Sequence, residues 1–317
     1  MSEYSRQIIG KQAAELGFVR DTFEKVCRLA ELLVFFERDP VLSRYLALKG
    51  GTAINLTIFN LPRLSVDIDL DFAENLPFEE TNKIRLIIQE TLELFMVSNG
   101  YKRNTAKSKR FHTLDSFVYQ YINTGGVADN IKAEINYSLR GHVFLPARRP
   151  IESLGIFAKT EVLSVNPIEI FAAKTIALLT RAAARDLYDL NNAVYFGLFD
   201  ESQMDVLRKC IVFYMAVAGD INSSGFSFSK MDLITNNKIR TDLAPVIRKK
   251  DRFDLASAQK RVKEYLSALL VFTAEEKMFL SNFQSKHYCP ELLFDGDALE
   301  RVTNHPMALW RVQDHER

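Results

Sequence analysis

The sequence predicts an α+β fold: a small mixed sheet flanked by helices, followed by a mainly helical C-terminal half. Three observations lead there. The run Ser65-Val66-Asp67-Ile68-Asp69-Leu70-Asp71-Phe72 alternates strictly between polar and apolar, the period of a strand. FVYQYINT and IKAEINY (residues 131–137) are two more extended runs, joined through a Gly125-Gly126 turn. From Pro167 nearly to the end, apolar residues return at helical spacing.

Composition bounds the rest. At 317 residues the chain has room for one large domain or two ordinary ones. Division is expected near residue 165, into segments 1–165 and 166–317. A hydrophobic share of 47% and a charged share of 26% are those of a globular protein with a full core. The net charge of +1 excludes a strongly basic nucleic-acid coat but not a local basic groove. No apolar run reaches the roughly 18 residues of a membrane span, and the N-terminal residues do not have the make-up of a secretory signal. Cys27, Cys210 and Cys289 are odd in number, far apart and outside any CxxC pattern. A disulfide framework and a structural zinc site are therefore not expected, and a reducing cytoplasmic setting is.

Element by element, residues 21–48 predict one amphipathic helix and a shorter one beyond Asp39-Pro40. A small, apolar stretch with a Gly-Gly pair follows (LKGGTAINLTIF), then the alternating strand, then helical spacing over 79–99. The sheet is expected within residues 45–165, ending in the short extended piece AKTEVLSV. Asn166-Pro167 is a good N-cap and first-turn pair, and PIEIFAAKTIALLTRAAARDLYDL continues in strong helix formers.

The alternating strand carries the sharpest chemical signal. Val66, Ile68, Leu70 and Phe72 point to one face and the aspartates to the other, neighbours there lying roughly 6.5–7 Å apart. Carboxylates so placed can converge on one cation, or on a pair about 3.5–4 Å apart. An edge strand with a solvated acidic face would look the same. Three other uses of Asp-x-Asp fit less well. A calcium loop wants polar fillers and a glycine at its sixth position, a phosphatase motif wants Thr or Val where Asp71 stands, and a glycosyltransferase usually has a longer nucleotide-sugar domain. Upstream, Lys49-Gly50-Gly51-Thr52 adds backbone N–H groups able to approach phosphate closely, and a hydroxyl donor. Gly-Gly-Thr about fifteen residues before an Asp-x-Asp strand is a rare combination.

These residues resemble the polymerase-β-type nucleotidyltransferases. LKGGTAINLTIFNLPRLSVDIDLDF is similar, more narrowly, to the AbiEii/AbiGii toxin family, the toxin halves of type IV toxin–antitoxin and abortive-infection systems. Phe23-Glu24-Lys25 resembles the helix that precedes the glycine turn in that family, and Asn304-His305-Pro306-Met307 with Trp310 its C-terminal signature. The resemblance implies a nucleotidyltransferase-type sheet and a Mg²⁺-dependent, EC 2.7.7-type enzyme passing a nucleoside monophosphate from an NTP to an acceptor hydroxyl. Asp67 and Asp69 would hold metal. KAEIN resembles the second motif, which makes Glu134 the third carboxylate of a two-ion site; a Lys132–Glu134 pair on a solvated sheet face is the plainer alternative. Lys49, Gly50, Gly51, Thr52 and Ser65 fall to the nucleotide.

On the helix after Pro167, Lys174, Arg181, Arg185 and Asp189 are spaced to fall within a stripe of roughly 80°. Lys174-x6-Arg181-x3-Arg185-Asp186-x2-Asp189 resembles the family's third and fourth motifs. That assigns Lys174 to the triphosphate, Asp186 or Asp189 to orienting it, and Arg181 and Arg185 to phosphate or ion-pair contacts. Residues 101–112 hold Lys102, Arg103, Lys107, Lys109 and Arg110, and a second basic cluster is Arg248, Lys249, Lys250 and Arg252. Both suit a polynucleotide acceptor, and the resemblance points to tRNA, with a separately encoded antitoxin that needs no stable complex. Two alternatives stand beside this: a binding module with a degenerate site, and a nucleotidyltransferase acting on a protein hydroxyl.

Overall fold

A computed structural model describes residues 4–151, 160–219 and 226–313. The chain divides into two compact units. One comprises Met1–Arg140, Pro146–Val165 and Pro245–Asp251; the other Gly141–Leu145, Asn166–Ala244 and Arg252–Arg317.

The first unit holds a mixed sheet whose strands are β1 (Leu46–Lys49), β2 (Asp67–Phe72), β3 (Lys102–Arg103), β4 (Lys109–Arg110), β5 (Leu114–Ile122), β6 (Ala128–Asn136), β7 (Ala147–Pro150) and β8 (Glu161–Ser164). Their order is β3-β5-β6-β2-β1-β8-β7, with β4 added beside β5. The pairs β1–β2 and β5–β6 are antiparallel, whereas β2–β6 and β1–β8 are parallel. One sheet face packs apolar side chains, Leu48, Ile68, Leu70, Ala133, Ile135 and Phe117 all being at most 1% exposed. The helices Arg20–Arg38 and Phe78–Ser98 supply further core residues, including Phe23, Leu29, Leu33, Ile88 and Leu92. The Gly125-Gly126 turn joins β5 to β6 as the sequence predicts, and the last extended run becomes β8, with Ala158 and Lys159 of that run outside the described residues.

Two expectations are corrected. The helix beyond Asp39-Pro40 stops at Tyr45, and Leu46–Lys49 is a strand instead. That strand pairs on both edges, with β2 and β8, and Leu46, Ala47 and Leu48 are all buried. A strand covered on both faces shows an unbroken apolar run without alternation, which reads equally well as helix. The helix after Pro167 is also interrupted. It runs Pro167–Arg181, Ala182 takes φ +52°, and a second helix spans Ala184–Tyr195.

A distant segment closes the first unit. Leu64 N–H donates to Val246 O at 2.7 Å, Arg63 bridges to Ile247, and Lys249 N–H donates to Gly17 O at 2.8 Å. The Arg248 guanidinium donates to Leu61 O at 3.3 Å and lies over the Phe18 ring.

The second unit is helical among its described residues. Asn166 caps its first helix, its side chain accepting from Ile168 N–H at 2.9 Å, with Pro167 in the first turn. Glu169 on that helix is 2% exposed and receives Val143 N–H at 3.0 Å, Phe144 N–H at 2.9 Å and the Tyr214 hydroxyl. No helix among the described residues is long and apolar enough to cross a membrane.

Candidate active site

In the first unit, the sheet register lines up the acidic residues. Lys49 on β1 sits opposite Asp69 on β2, which sits opposite Glu134 on β6. One pleat away, Asp67 is opposite Lys132, and Asp71 is opposite Asn136. Asp67 and Asp69 are half-buried. Asp71 is 4% exposed and ion-paired with Lys49, so the third aspartate of the strand is committed to a lysine.

The glycine turn lies against this row because nothing larger fits. Gly50 has φ +66°, the left-handed region, and a Cβ there would lie 2.6 Å from Asp69 Oδ2 and 3.2 Å from Asp69 Cβ. A Cβ on Gly51 would meet Arg63 Nη2 at 2.7 Å and Ser65 Oγ at 2.9 Å. Thr52 Oγ1 donates to Asp67 O, fastening the turn to the strand. Asn55 Nδ2 donates to Gly51 O at 2.7 Å, and Asn55 Oδ1 accepts from Arg63 N–H at 3.3 Å. Arg63 is 2% exposed and donates to Leu64 O at 2.9 Å. Lys49, Gly50, Gly51, Thr52, Ser65, Asp67 and Asp69 are thus brought together. Asn55 and Arg63 belong to the same turn and were missed, since neither stands at a position that strand alternation or a glycine pair marks out.

Glu134 is beside Asp69, but its Oε2 is held by Lys132 Nζ at 2.7 Å. Burial works against the lysine's charge. The hydrogen bond and charge of Glu134, with the charges of Asp67 and Asp69, outweigh it and raise the Lys132 pKa above the usual lysine value. Among the described residues, no group of three or more His, Cys, Asp or Glu side chains is gathered into a ready metal cage.

A second cluster lies within the second unit. Lys174 Nζ is 2.9 Å from Asp186 Oδ1 and 3.2 Å from Asp189 Oδ2. Asp186 and Asp189 are each 1% exposed. Arg181 Nε reaches Asp186 Oδ2 at 2.8 Å. Burial alone would raise the Asp186 pKa, but Lys174 and Arg181 together bring it below the ordinary carboxylate value. The break at Ala182 removes the single helical stripe expected from spacing. Lys174 and Arg181 stand on one helix, Asp186 and Asp189 on the next, and Arg185 donates to Asp242 O at 2.8 Å.

Of the basic segments, Lys102, Lys107, Lys109 and Arg110 are exposed. Arg103 reaches Glu93 at 3.5 Å and lies over the Phe117 ring. Arg248 packs the loop before β2, so that arginine of the second cluster has a structural role.

Comparison with known proteins identifies the family. Residues 34–285 match the family model described as the nucleotidyl transferase AbiEii toxin of type IV toxin–antitoxin systems. The N-terminal residues Phe23–Lys25 and the C-terminal Asn304–Trp310 lie outside the matched range. No curated protein matches the sequence. Among solved structures the chain is similar in fold to MenT4, a nucleotidyltransferase toxin of Mycobacterium tuberculosis H37Rv, with a TM-score of 0.63 at 16% identity, over 96% of this chain and 99% of that one. The chain belongs to the AbiEii family of nucleotidyltransferase toxins of type IV toxin–antitoxin systems.

Proposed function

We propose that this toxin transfers a nucleoside monophosphate from an NTP to an acceptor hydroxyl of tRNA, an EC 2.7.7-type reaction dependent on Mg²⁺, and that growth inhibition follows. The observation that carries this reading is the seating of Gly50 against Asp69, where even a methyl group would reach the carboxylate oxygen. Backbone N–H groups and a carboxylate pair side by side suit a triphosphate bound through a cation.

The donors fit such an ion. Asp67, Asp69 and Glu134 offer only oxygen, the preference of Mg²⁺, and a half-exposed pair of aspartates leaves positions for phosphate oxygens and water. When bound, two such ions would lower the pKa of the attacking hydroxyl and neutralise charge on the departing pyrophosphate. The chain's own residues do the rest. Gly50 and Gly51 admit the phosphates closely, and Thr52 holds the turn to the aspartate strand. The acceptor oxygen forms a bond to the α-phosphorus while the bond to pyrophosphate breaks, and the hydroxyl proton leaves to solvent. Lys174, fixed by Asp186 and Asp189, is assigned to the triphosphate, with Arg181 beside it. The exposed Lys102, Lys107, Lys109 and Arg110 are assigned to the acceptor's phosphates. Type IV membership implies an antitoxin that opposes the effect without a stable complex.

The test is incubation with each labelled NTP, Mg²⁺ and total RNA. Label should enter tRNA with the native chain and not with Asp69→Asn. Label in a protein band would move the acceptor to a protein hydroxyl, and tight NTP binding without transfer would leave only a binding module.

A further inference from the structure

The face of the sheet that carries the aspartates gathers charges of both signs at close quarters. Lys49 on β1, Asp67, Asp69 and Asp71 on β2, and Lys132 and Glu134 on β6 all project from it, as their register and strand alternation require. Lys109 on β4 and Lys102 on β3 share the face further out, while on β1, β2 and β6 four acids stand against two lysines, a local formal charge of −2. The two lysines are differently disposed. Lys49 takes Asp71, the buried aspartate, with that carboxylate side chain 6% exposed. Lys132 takes Glu134 at 2.7 Å, in a pair whose side chains are 37% and 28% exposed, and stands directly opposite Asp67. The first pair is a fixed part of the sheet; the second is open to solvent and to exchange.

We propose that Lys132 is a resident counter-ion of Glu134, beside Asp67, and competes with the incoming divalent cation for Glu134. This rests on the metal-dependent reading above and adds to it a role for a residue outside the metal ligands. A carboxylate oxygen engaged by an ammonium group at hydrogen-bond distance has one fewer lone pair to offer. A positive charge a few ångströms from a cation site also repels what enters it. Lys132 therefore keeps the like charges of the face tolerable before metal binds, and its withdrawal releases Glu134 as a ligand. Among exposed ion pairs such an exchange is inexpensive, because a surface pair is worth little against its hydrated components.

The experiment is direct titration of the whole chain with Mn²⁺ alone, free ion followed by electron paramagnetic resonance, so that the readout is affinity and not turnover. Lys132→Met should bind Mn²⁺ about five- to tenfold more tightly than the native chain, the scale expected for removing one charge near a solvent-exposed site. Lys132→Gln serves equally if the Met variant fails a circular-dichroism check of folding. Lys132→Arg keeps the charge and should stay within about twofold of native. In the double variant Lys132→Met with Glu134→Gln the gain should vanish. Unchanged or weaker binding by Lys132→Met and Lys132→Gln, with Mn²⁺ binding still lost in Asp67→Asn, would overturn the role of Lys132 while leaving the metal site standing. Native binding indifferent to Asp67→Asn would remove the metal site itself, and this inference with it.

Discussion

Replacing Gly50 with alanine separates two requirements that one residue meets. The substitution forces an L-residue to φ +66°, costing about 1–2 kcal/mol in the left-handed region. It also places a methyl carbon 2.6 Å from Asp69 Oδ2, 3.2 Å from its Cβ and 3.3 Å from its Cγ. Rotation of the carboxylate could relieve the first contact. The second and third lie nearer the backbone of β2, so Asp69 must shift as a whole by a few tenths of an ångström. Gly126 supplies the control. It has φ +81° in the β5–β6 turn, and nothing lies within 4 Å of the Cβ it would carry. Gly126→Ala should therefore meet the backbone cost alone. Both variants should lose about 1–2 kcal/mol in denaturant titration, Gly50→Ala somewhat more. Only Gly50→Ala should lose nucleotide transfer, by about 100-fold or more, since misplacing a reacting group by ångström fractions is expensive. Equal transfer by the two variants would refute the argument that Gly50 is glycine for Asp69's sake.

Other outcomes follow from the same geometry. Asn55→Ala leaves Gly51 O and Arg63 N–H without that shared partner in a fully buried place, and should cost about 1–3 kcal/mol in a urea titration. Lys174→Met removes the ammonium group shared by Asp186 and Asp189, and should destabilise by about 3 kcal/mol at neutral pH, the lower end for breaking a buried pair because Arg181 remains on Asp186. The sign with pH is fixed by Asp186. Its folded pKa lies below the ordinary aspartate value of 3.8, so the stability it contributes is present above that value and is lost as pH falls through the folded pKa. The gap between native and Lys174→Met should accordingly be widest above about pH 5 and narrow below 3.8, as thermal melts across that range would record. Ala182→Gly relieves a left-handed alanine but empties a position 2% exposed; the two effects are of similar size, so melting within about 3 °C of native is expected.

Much of the sheet was legible because one of its faces is apolar and the other is not. Asp67–Phe72 and the β5–β6 hairpin alternate for that reason, and a glycine pair marks their turn. β1 was illegible for the opposite reason, being covered on both faces and only four residues long. The end of the helix at Arg181 carries no glycine, proline or asparagine, and Ala182 is held left-handed by its surroundings rather than by its own preference. In the site, the glycine turn and the aspartates were visible as neighbours in sequence. The Lys132–Glu134 pair was visible as an alternation, yet which partner Glu134 chooses depends on the register between β2 and β6. Arg63 and Asn55 could not be found at all from spacing, since their importance lies in filling the space beneath Gly51.

The clamp formed by Pro245–Asp251 has a consequence for how the protein comes into being. Arg248 reaches back 187 residues to Leu61, at the threshold of the strand bearing the acidic pair. During synthesis those contacts can form only after most of the chain has left the ribosome. A chain truncated short of Pro245 would carry the glycine turn and both aspartates, yet Leu64 N–H and Gly17 O would lack the partners they have here. For a polypeptide whose activity harms its maker, an unfinished copy is thereby left without the brace under its working parts.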